Sequence, residues 1–168
     1  MKKNLVASVL LIIFLCFSNY NYGQSPAHGS WGISAVVNSS QADLLFPFWL
    51  GNSNTLAPSI GIVGISGVNT DISAGLVFHH YINFMNNFAP IIGARAGAIF
   101  GSPKNGNSTT DIIVGMLGGG EYFFSSNFSM GIEAQFNIVF SDKSSNRFGN
   151  PGGENFNTGS VIFATVYF

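Results

Sequence analysis

Charged residues are scarce in this sequence. Asp, Glu, Lys and Arg make up 8% of its 168 residues, whereas a soluble domain carries about a quarter. Beyond Lys2 and Lys3 the chain has four basic and seven acidic residues, which excludes the basic surface that a nucleic-acid-binding protein needs. The low charge indicates that water is not the main solvent around the folded chain.

Cysteine and long apolar runs are also nearly absent. The single cysteine, Cys16, lies close to the N-terminus, so the rest of the chain contains no cysteine with which to form a disulfide. After Phe17 no apolar run reaches the roughly 18 to 20 residues that a transmembrane helix requires. If this chain crosses a membrane, it therefore crosses as β-strands.

The N-terminal residues have the layout of a secretory signal peptide. Lys2 and Lys3 precede the apolar run Leu5–Phe17, which is followed by small and polar residues. We predict a signal peptide over residues 1–23, cleaved near Gly23, and one folded domain over residues 24–168.

Strict alternation of apolar and polar residues marks the folded domain. In "FSMGIEAQFNIVF", Phe128–Phe140, every second side chain is apolar and most of the others are small or polar, a period of two that predicts a β-strand with unlike faces. Similar stretches, bounded by Gly, Asn, Ser, Pro and Asp, predict strands over Ser30–Asn38, Ala42–Leu50, Leu56–Gly67, Thr70–Asn83, Ala89–Ser102, Thr110–Phe124, Asn127–Ser141 and Thr158–Phe168.

The lengths and connections of these strands favour a barrel. Most are long enough to cross a bilayer at a tilt, which takes about 9 to 11 residues, and both long connections fall at the same end. The sequence therefore predicts an all-β, eight-stranded antiparallel up-and-down transmembrane β-barrel. Aromatic residues gather at the short-turn end, as in an interfacial belt; the predicted belt comprises Trp31, Trp49, Tyr81, Tyr122, Phe124 and Phe128.

The charges within strands all fall on the small, polar face. Pairing the strands around their loops predicts Arg95 opposite Gly118 or Gly119, and Glu133 opposite Gly119. The resulting interior polar cluster consists of Arg95, Glu121, Glu133, Gln135 and His79. Because side chains just fill a barrel of about eight strands, we interpret the cluster as packing that satisfies its own polar groups. The alternative is a narrow small-solute channel gated by Arg–Glu pairing.

No motif predicts catalysis, a metal or a cofactor. His79 and His80 are adjacent in a strand and point to opposite faces, so they cannot chelate one ion together. "GMLGGGEY" lacks the Lys-Ser/Thr pair of a phosphate-binding loop. We therefore expect a chain without enzymatic activity and without a cofactor.

Three stretches resemble a known family. The run "LAPSIGIVGISGVNTDISAGLVFHHYI", the following "FAPIIGARAGAIF" and the final "GSVIFATVYF" resemble the small eight-stranded outer-membrane barrels related to the OmpA transmembrane domain, in the form found in Bacteroidota. The resemblance covers Trp31 to Phe168. It implies a bacterial outer-membrane location and a C-terminal signal for the barrel-assembly machinery, formed by Phe168 and the outward row with Val166 and Ile162.

These observations predict an integral outer-membrane protein with a structural or surface-interaction role. The candidate contact regions are the loops Pro103–Thr109 and Asp142–Asn157, and the longer loop carries Lys143, Arg147 and Glu154. The expected partners are outer-membrane lipid and the barrel-assembly machinery, while a partner of the loops is unknown. The remaining alternative is a soluble, secreted β-barrel that binds a lipophilic ligand inside.

Overall fold

The computed structural model describes residues 30–38, 41–65, 69–102 and 107–168, so the predicted signal peptide lies outside the described residues. No helix in these ranges is long and apolar enough to cross a bilayer. The ordered elements are the β-strands β1 (Gly32–Val37), β2 (Gln41–Leu45), β3 (Phe48–Trp49), β4 (Asn54–Ile65), β5 (Asn69–Tyr81), β6 (Phe88–Gly101), β7 (Thr109–Phe123), β8 (Phe128–Phe140) and β9 (Glu154–Tyr167).

The strands close into a barrel. Consecutive strands pair antiparallel, except that β2 and β3 both pair with β4 and not with each other, and β1 pairs with β9. β2 and β3 are two parts of one predicted strand, interrupted at Pro47, because proline has no N–H for the ladder. Counted in this way the barrel has eight antiparallel strands, which confirms the predicted up-and-down barrel.

The last strand begins earlier than predicted. β9 starts at Glu154 rather than Thr158, and its first residues pair with the end of β8, from Glu154 opposite Phe140 to Asn157 opposite Asn137. The sequence "ENFN" is polar and gave no clear alternation, so only the pairing with β8 reveals it as strand. The longest connection is therefore residues 141–153.

The barrel has an apolar outside and a polar inside. In β8 the exposed residues are one apolar row that includes Ile132 and Phe136, whereas Glu133, Gln135 and Asn137 are buried in the interior. Ile132 keeps 65% of its surface exposed, while Glu133 keeps only 6%. This arrangement is the inverse of a soluble barrel.

The first hairpin is much shorter than the rest of the wall. β1 and β2 have 6 and 5 residues, whereas β6 and β7 have 14 and 15. Since every strand has one end near the short-turn end, the wall is lower at this hairpin than elsewhere.

Candidate functional site

The interior of the barrel contains two layers of side chains and a cavity. An aromatic layer fills the short-turn end, a hydrogen-bonded polar layer lies in the middle, and a cavity lies above it beneath the 141–153 loop. The layers arise because the inward residues of each strand change from aromatic to polar along its length.

The aromatic layer, here called the aromatic floor, is formed by Trp49, Tyr81, Phe84, Phe123 and Tyr167. The Trp49 and Tyr81 rings stack with centroids 4.7 Å apart, and Tyr81 stacks on Phe84 at 5.7 Å. Phe123 and Tyr167 stack at 6.1 Å. These rings occupy the short-turn end of the interior.

Glu121 lies directly above the aromatic floor and is 1% exposed. The Tyr81 hydroxyl donates a hydrogen bond to this carboxylate over 2.7 Å, and the Tyr167 hydroxyl donates over 3.0 Å. The Ser129 hydroxyl is a third donor. Three hydroxyl donors thus compensate the desolvation of one buried acid.

The middle layer joins β5, β6 and β8. His79 Nε2 lies 2.9 Å from Glu133 Oε1, and the Gln135 amide donates to the other Glu133 oxygen over 3.3 Å. Arg95 donates to the Gln135 amide oxygen over 2.5 Å. Gln135 therefore connects the guanidinium to the carboxylate, and only a small void of about 30 Å³ remains in this layer.

The 141–153 loop is anchored inside the barrel by Arg147. Its Nη2 lies 2.5 Å from Asp71 Oδ2 and its Nε lies 3.1 Å from Asp111 Oδ2. Asp111 also accepts hydrogen bonds from the Ser145 hydroxyl at 2.7 Å and from the Asp142 backbone N–H at 2.9 Å. The loop is held over the barrel mouth by buried ion pairs.

Between the middle layer and the loop lies a cavity of about 710 Å³. One wall is apolar, with Val63, Ile99 and Val139 packed beneath Phe148 of the loop. The other wall is polar and is lined by Asn38, Gln41, Arg95, Gln135, Asn137 and Asn157–Ser160. The cavity is therefore amphipathic.

The predicted interior cluster is divided between two networks. His79, Glu133, Gln135 and Arg95 form the middle layer, but Glu121 belongs to the tyrosine and serine network below. Arg95 pairs with Gly115, not with Gly118 or Gly119 as predicted, while Glu133 does pair with Gly119. The register of the β6–β7 hairpin therefore moves Arg95 toward the loop end and away from Glu121.

The predicted aromatic belt is partly wrong. Its outward members are Trp31, Tyr122, Phe124 and Phe128. Tyr81 is only 2% exposed and, with Trp49, lies in the aromatic floor. The alternation that places His79 inside also places Tyr81 inside, so this signal was present in the sequence.

The predicted assembly row does face outward. Phe168, Val166 and Ile162 are all exposed, and the Phe168 ring stacks on Trp31 at 4.8 Å. Their recognition by an assembly machinery remains a prediction.

Sequence reasoning missed the anchor of the long loop. Arg147 was predicted as an outward contact residue, but it points into the barrel, where its side chain is 8% exposed. The polar faces of the strands place Asp71 and Asp111 inside the barrel. Because buried carboxylates favour a cationic partner, their placement could have predicted that a basic residue of the loop points inward. In the described ranges no three His, Cys, Asp or Glu residues are grouped so as to hold a metal ion.

The fold is similar to that of solved outer-membrane proteins. Neisserial surface protein A aligns with a TM-score of 0.59 and 16% identity, over 82% of this chain and 93% of that one. The N-terminal β-barrel domain of Pseudomonas aeruginosa OprF aligns with a TM-score of 0.53 and 16% identity, over 84% and 98% of the two chains. No protein-family model and no curated protein sequence matches this chain.

Proposed function

We propose that this chain is a non-enzymatic integral protein of the bacterial outer membrane, exported by its N-terminal signal peptide, with a structural or surface-interaction role. The observation that carries the proposal is that the barrel has apolar side chains on its outer surface and charged side chains inside, the reverse of a soluble protein. Apolar residues as large as Phe136 and Phe156 are 53% and 72% exposed, while Asp111 and Glu121 are almost completely buried. Lipid is the solvent that such a surface fits.

The outward aromatic residues support the same placement. Trp31, Tyr122, Phe124, Phe128 and Phe168 surround the short-turn end, where aromatic side chains mark a membrane interface. Phe100 and Phe140 are exposed at the opposite end. The apolar band between these two groups matches a barrel that spans a bilayer.

The interior favours a structural role over conduction. The aromatic floor fills the short-turn end, and the Arg147 anchor holds the 141–153 loop over the other end. The aromatic floor and the anchored loop both block the interior, and buried contacts hold each of them in place. Neither depends on pairing between Arg95 and a glutamate. A small-solute channel would need both to move.

The surface of the long loop is the candidate contact region. Lys143, Asn146 and Asn150 are exposed on it, as is Glu154 at the start of β9. The likeness to a protein named as a surface protein is consistent with this role. Outer-membrane lipid and, during biogenesis, the barrel-assembly machinery are the proposed partners, with Phe168, Val166 and Ile162 as the recognised row.

Membrane fractionation tests the proposal. Expressed with its signal peptide, the protein should sediment with outer membranes and migrate differently on gels before and after boiling. On intact cells, external protease should cut the anchored 141–153 region only at high protease concentration. Retention in the aqueous fraction would overturn the proposal in favour of the soluble ligand-binding barrel. Discrete conductance steps in planar bilayers would favour the channel.

A further inference from the structure

The barrel wall has a notch above its short first hairpin. β1 pairs with β9 only from Gly32–Tyr167 to Val37–Ile162. Glu154–Val161 of β9 pair with β8, but among the described residues they have no strand partner on the other side. β2 stops pairing with β4 at Gln41–Val63. The opening therefore lies between the edge of β9 and β4, above the hairpin.

The notch opens into the interior cavity. Asn38 and Gln41 at the hairpin tip and Asn157–Ser160 on the β9 edge line both the opening and the cavity. Asn157 has the inward parity of Val161 but is exposed, because the wall is open beside it. On the outer wall, a groove of about 570 Å³ shares Gln135 and Thr158–Ser160 with the cavity.

The level of the notch determines what can fill it. This step rests on the proposed function, which places the wall in a bilayer. Ser160 lies opposite Ala134 and Thr158 opposite Phe136, part of the way along the apolar outer row of β8. Open strand edges do not occur against hydrocarbon unless they line protein or a water-filled cavity. At an opening that faces lipid, this edge must therefore contact water or the polar group of a ligand.

Two buried polar atoms of the cavity lack a partner among the described residues. Asn137 Oδ1 is an acceptor without a donor, and Arg147 Nη1 is a donor without an acceptor; both side chains are 8% exposed and line the cavity. Gly115 makes room for the Asn137 amide, because a Cβ there would collide with it. Unsatisfied buried groups of both kinds favour a ligand that donates and accepts.

The cations of the cavity already face carboxylates. Arg147 is paired with Asp71 and Asp111, and Asp43 and Glu133 act on Arg95 electrostatically. An anionic ligand would find no unpaired cation, and an ammonium head has no acceptor to offer Arg147 Nη1, whereas an apolar tail would meet Val63, Ile99 and Phe148. The volume of about 710 Å³ is within the range of small-molecule sites.

We propose that the notch is a lateral entrance through which an uncharged amphiphile with a hydroxyl or amide head enters the cavity from the outer leaflet. The head lies between Asn137 and Arg147, and the tail lies against the apolar wall or extends through the notch to the outer groove.

The test uses the exported protein in phosphatidylcholine nanodiscs, with 1-monododecanoylglycerol as the probe and native mass spectrometry as the readout. Gly159→Phe narrows the notch, and a Cβ at Gly159 would meet nothing within 4 Å, so the substitution has space. Asn137→Leu removes the acceptor at similar volume. The matched control is Ala94→Phe, on the outward face of β6 away from the notch.

Wild type and Ala94→Phe should each retain one probe molecule saturably, while Gly159→Phe and Asn137→Leu should bind about tenfold more weakly. Equal, unsaturable retention by all four proteins would overturn the proposal, as would tighter binding of dodecanoate or dodecyltrimethylammonium. If Gly159→Phe does not fold, the comparison of probe binding between wild type and Asn137→Leu tests the proposal. A protein that fails to enter membranes refutes the proposed function, whereas an inserted, heat-modifiable barrel that binds no probe refutes only this inference.

Discussion

Replacing Arg147 with Met should release the 141–153 loop from the barrel mouth. The substitution keeps a long apolar stem but removes the guanidinium, which pairs with Asp71 at 2.5 Å and with Asp111 at 3.1 Å. Both carboxylates would remain inside the barrel, at 3% and 0% exposure. The change therefore leaves buried charge uncompensated, which costs more than the loss of an exposed ion pair.

Both carboxylates contribute to this cost. The Ser145 hydroxyl and the Asp142 N–H, which also donate to Asp111, lie on the loop that the substitution releases, so Asp111 loses them together with the guanidinium. Asp71 has no other ion pair in the described structure, and breaking a buried pair costs about 3–5 kcal/mol. Because the neighbouring cavity can admit water that hydrates Asp71, we expect a loss of about 3 kcal/mol.

Limited proteolysis of the reconstituted barrel and urea unfolding measure this effect. Arg147→Met should be cleaved within residues 141–153 under conditions that leave wild type intact, and its free energy of unfolding should fall by the stated amount. Lys143→Met, which removes an exposed cation from the same loop, should change stability by less than about 0.5 kcal/mol. Adding Asp71→Asn to Arg147→Met should restore part of the loss, because it removes the unpaired charge.

Equal protection of the loop in wild type and Arg147→Met would refute the anchoring argument. So would an additive result in the double-mutant cycle, since independent sites do not couple.

Three further predictions concern the wall, the floor and conduction. Ile132→Arg, at an outward position with 65% exposure, should cost about 2–4 kcal/mol in lipid; a change within about 0.5 kcal/mol would mean that water covers this face. Tyr81→Phe and Tyr167→Phe should each lower stability by about 1–3 kcal/mol because Glu121 loses a donor, and thermal unfolding should show no such loss for the outward Tyr122→Phe. Arg95→Ala should leave planar-bilayer conductance at the wild-type baseline because the aromatic floor remains in place; new conductance steps would support an Arg95-dependent gate.

The sequence was sufficient to predict most of the fold. Alternation in β8 predicted both the strand and its two faces, and the same rule placed Glu133 and Gln135 inside. The rule was not applied to Tyr81 and Trp49, which were predicted in the outer aromatic belt. Tyr81 has the same inward alternation as His79, and Trp49 has that of Leu45, so both lie inside.

The candidate site was less predictable because it depends on register and on a loop. A hairpin register shifted by a few residues separates Arg95 from Glu121, and no local pattern in "SPKNGNST" reports that shift. The inward turn of Arg147 depends on Asp71 and Asp111, which lie on β5 and β7. Pairing over such distances along the chain is not visible in a local window.

Composition and alternation by themselves determined that this chain forms a strand-built barrel with an apolar outside, because period-two patterning is a local property of each strand. Tertiary structure decided what the barrel contains: the aromatic floor, the anchored loop, and a cavity that opens through a notch. The notch exists because β1 and β2 are shorter than the strands beside them. The short hairpin leaves an opening only because β9 and β4, which flank it, are distant in sequence and come together when the barrel closes.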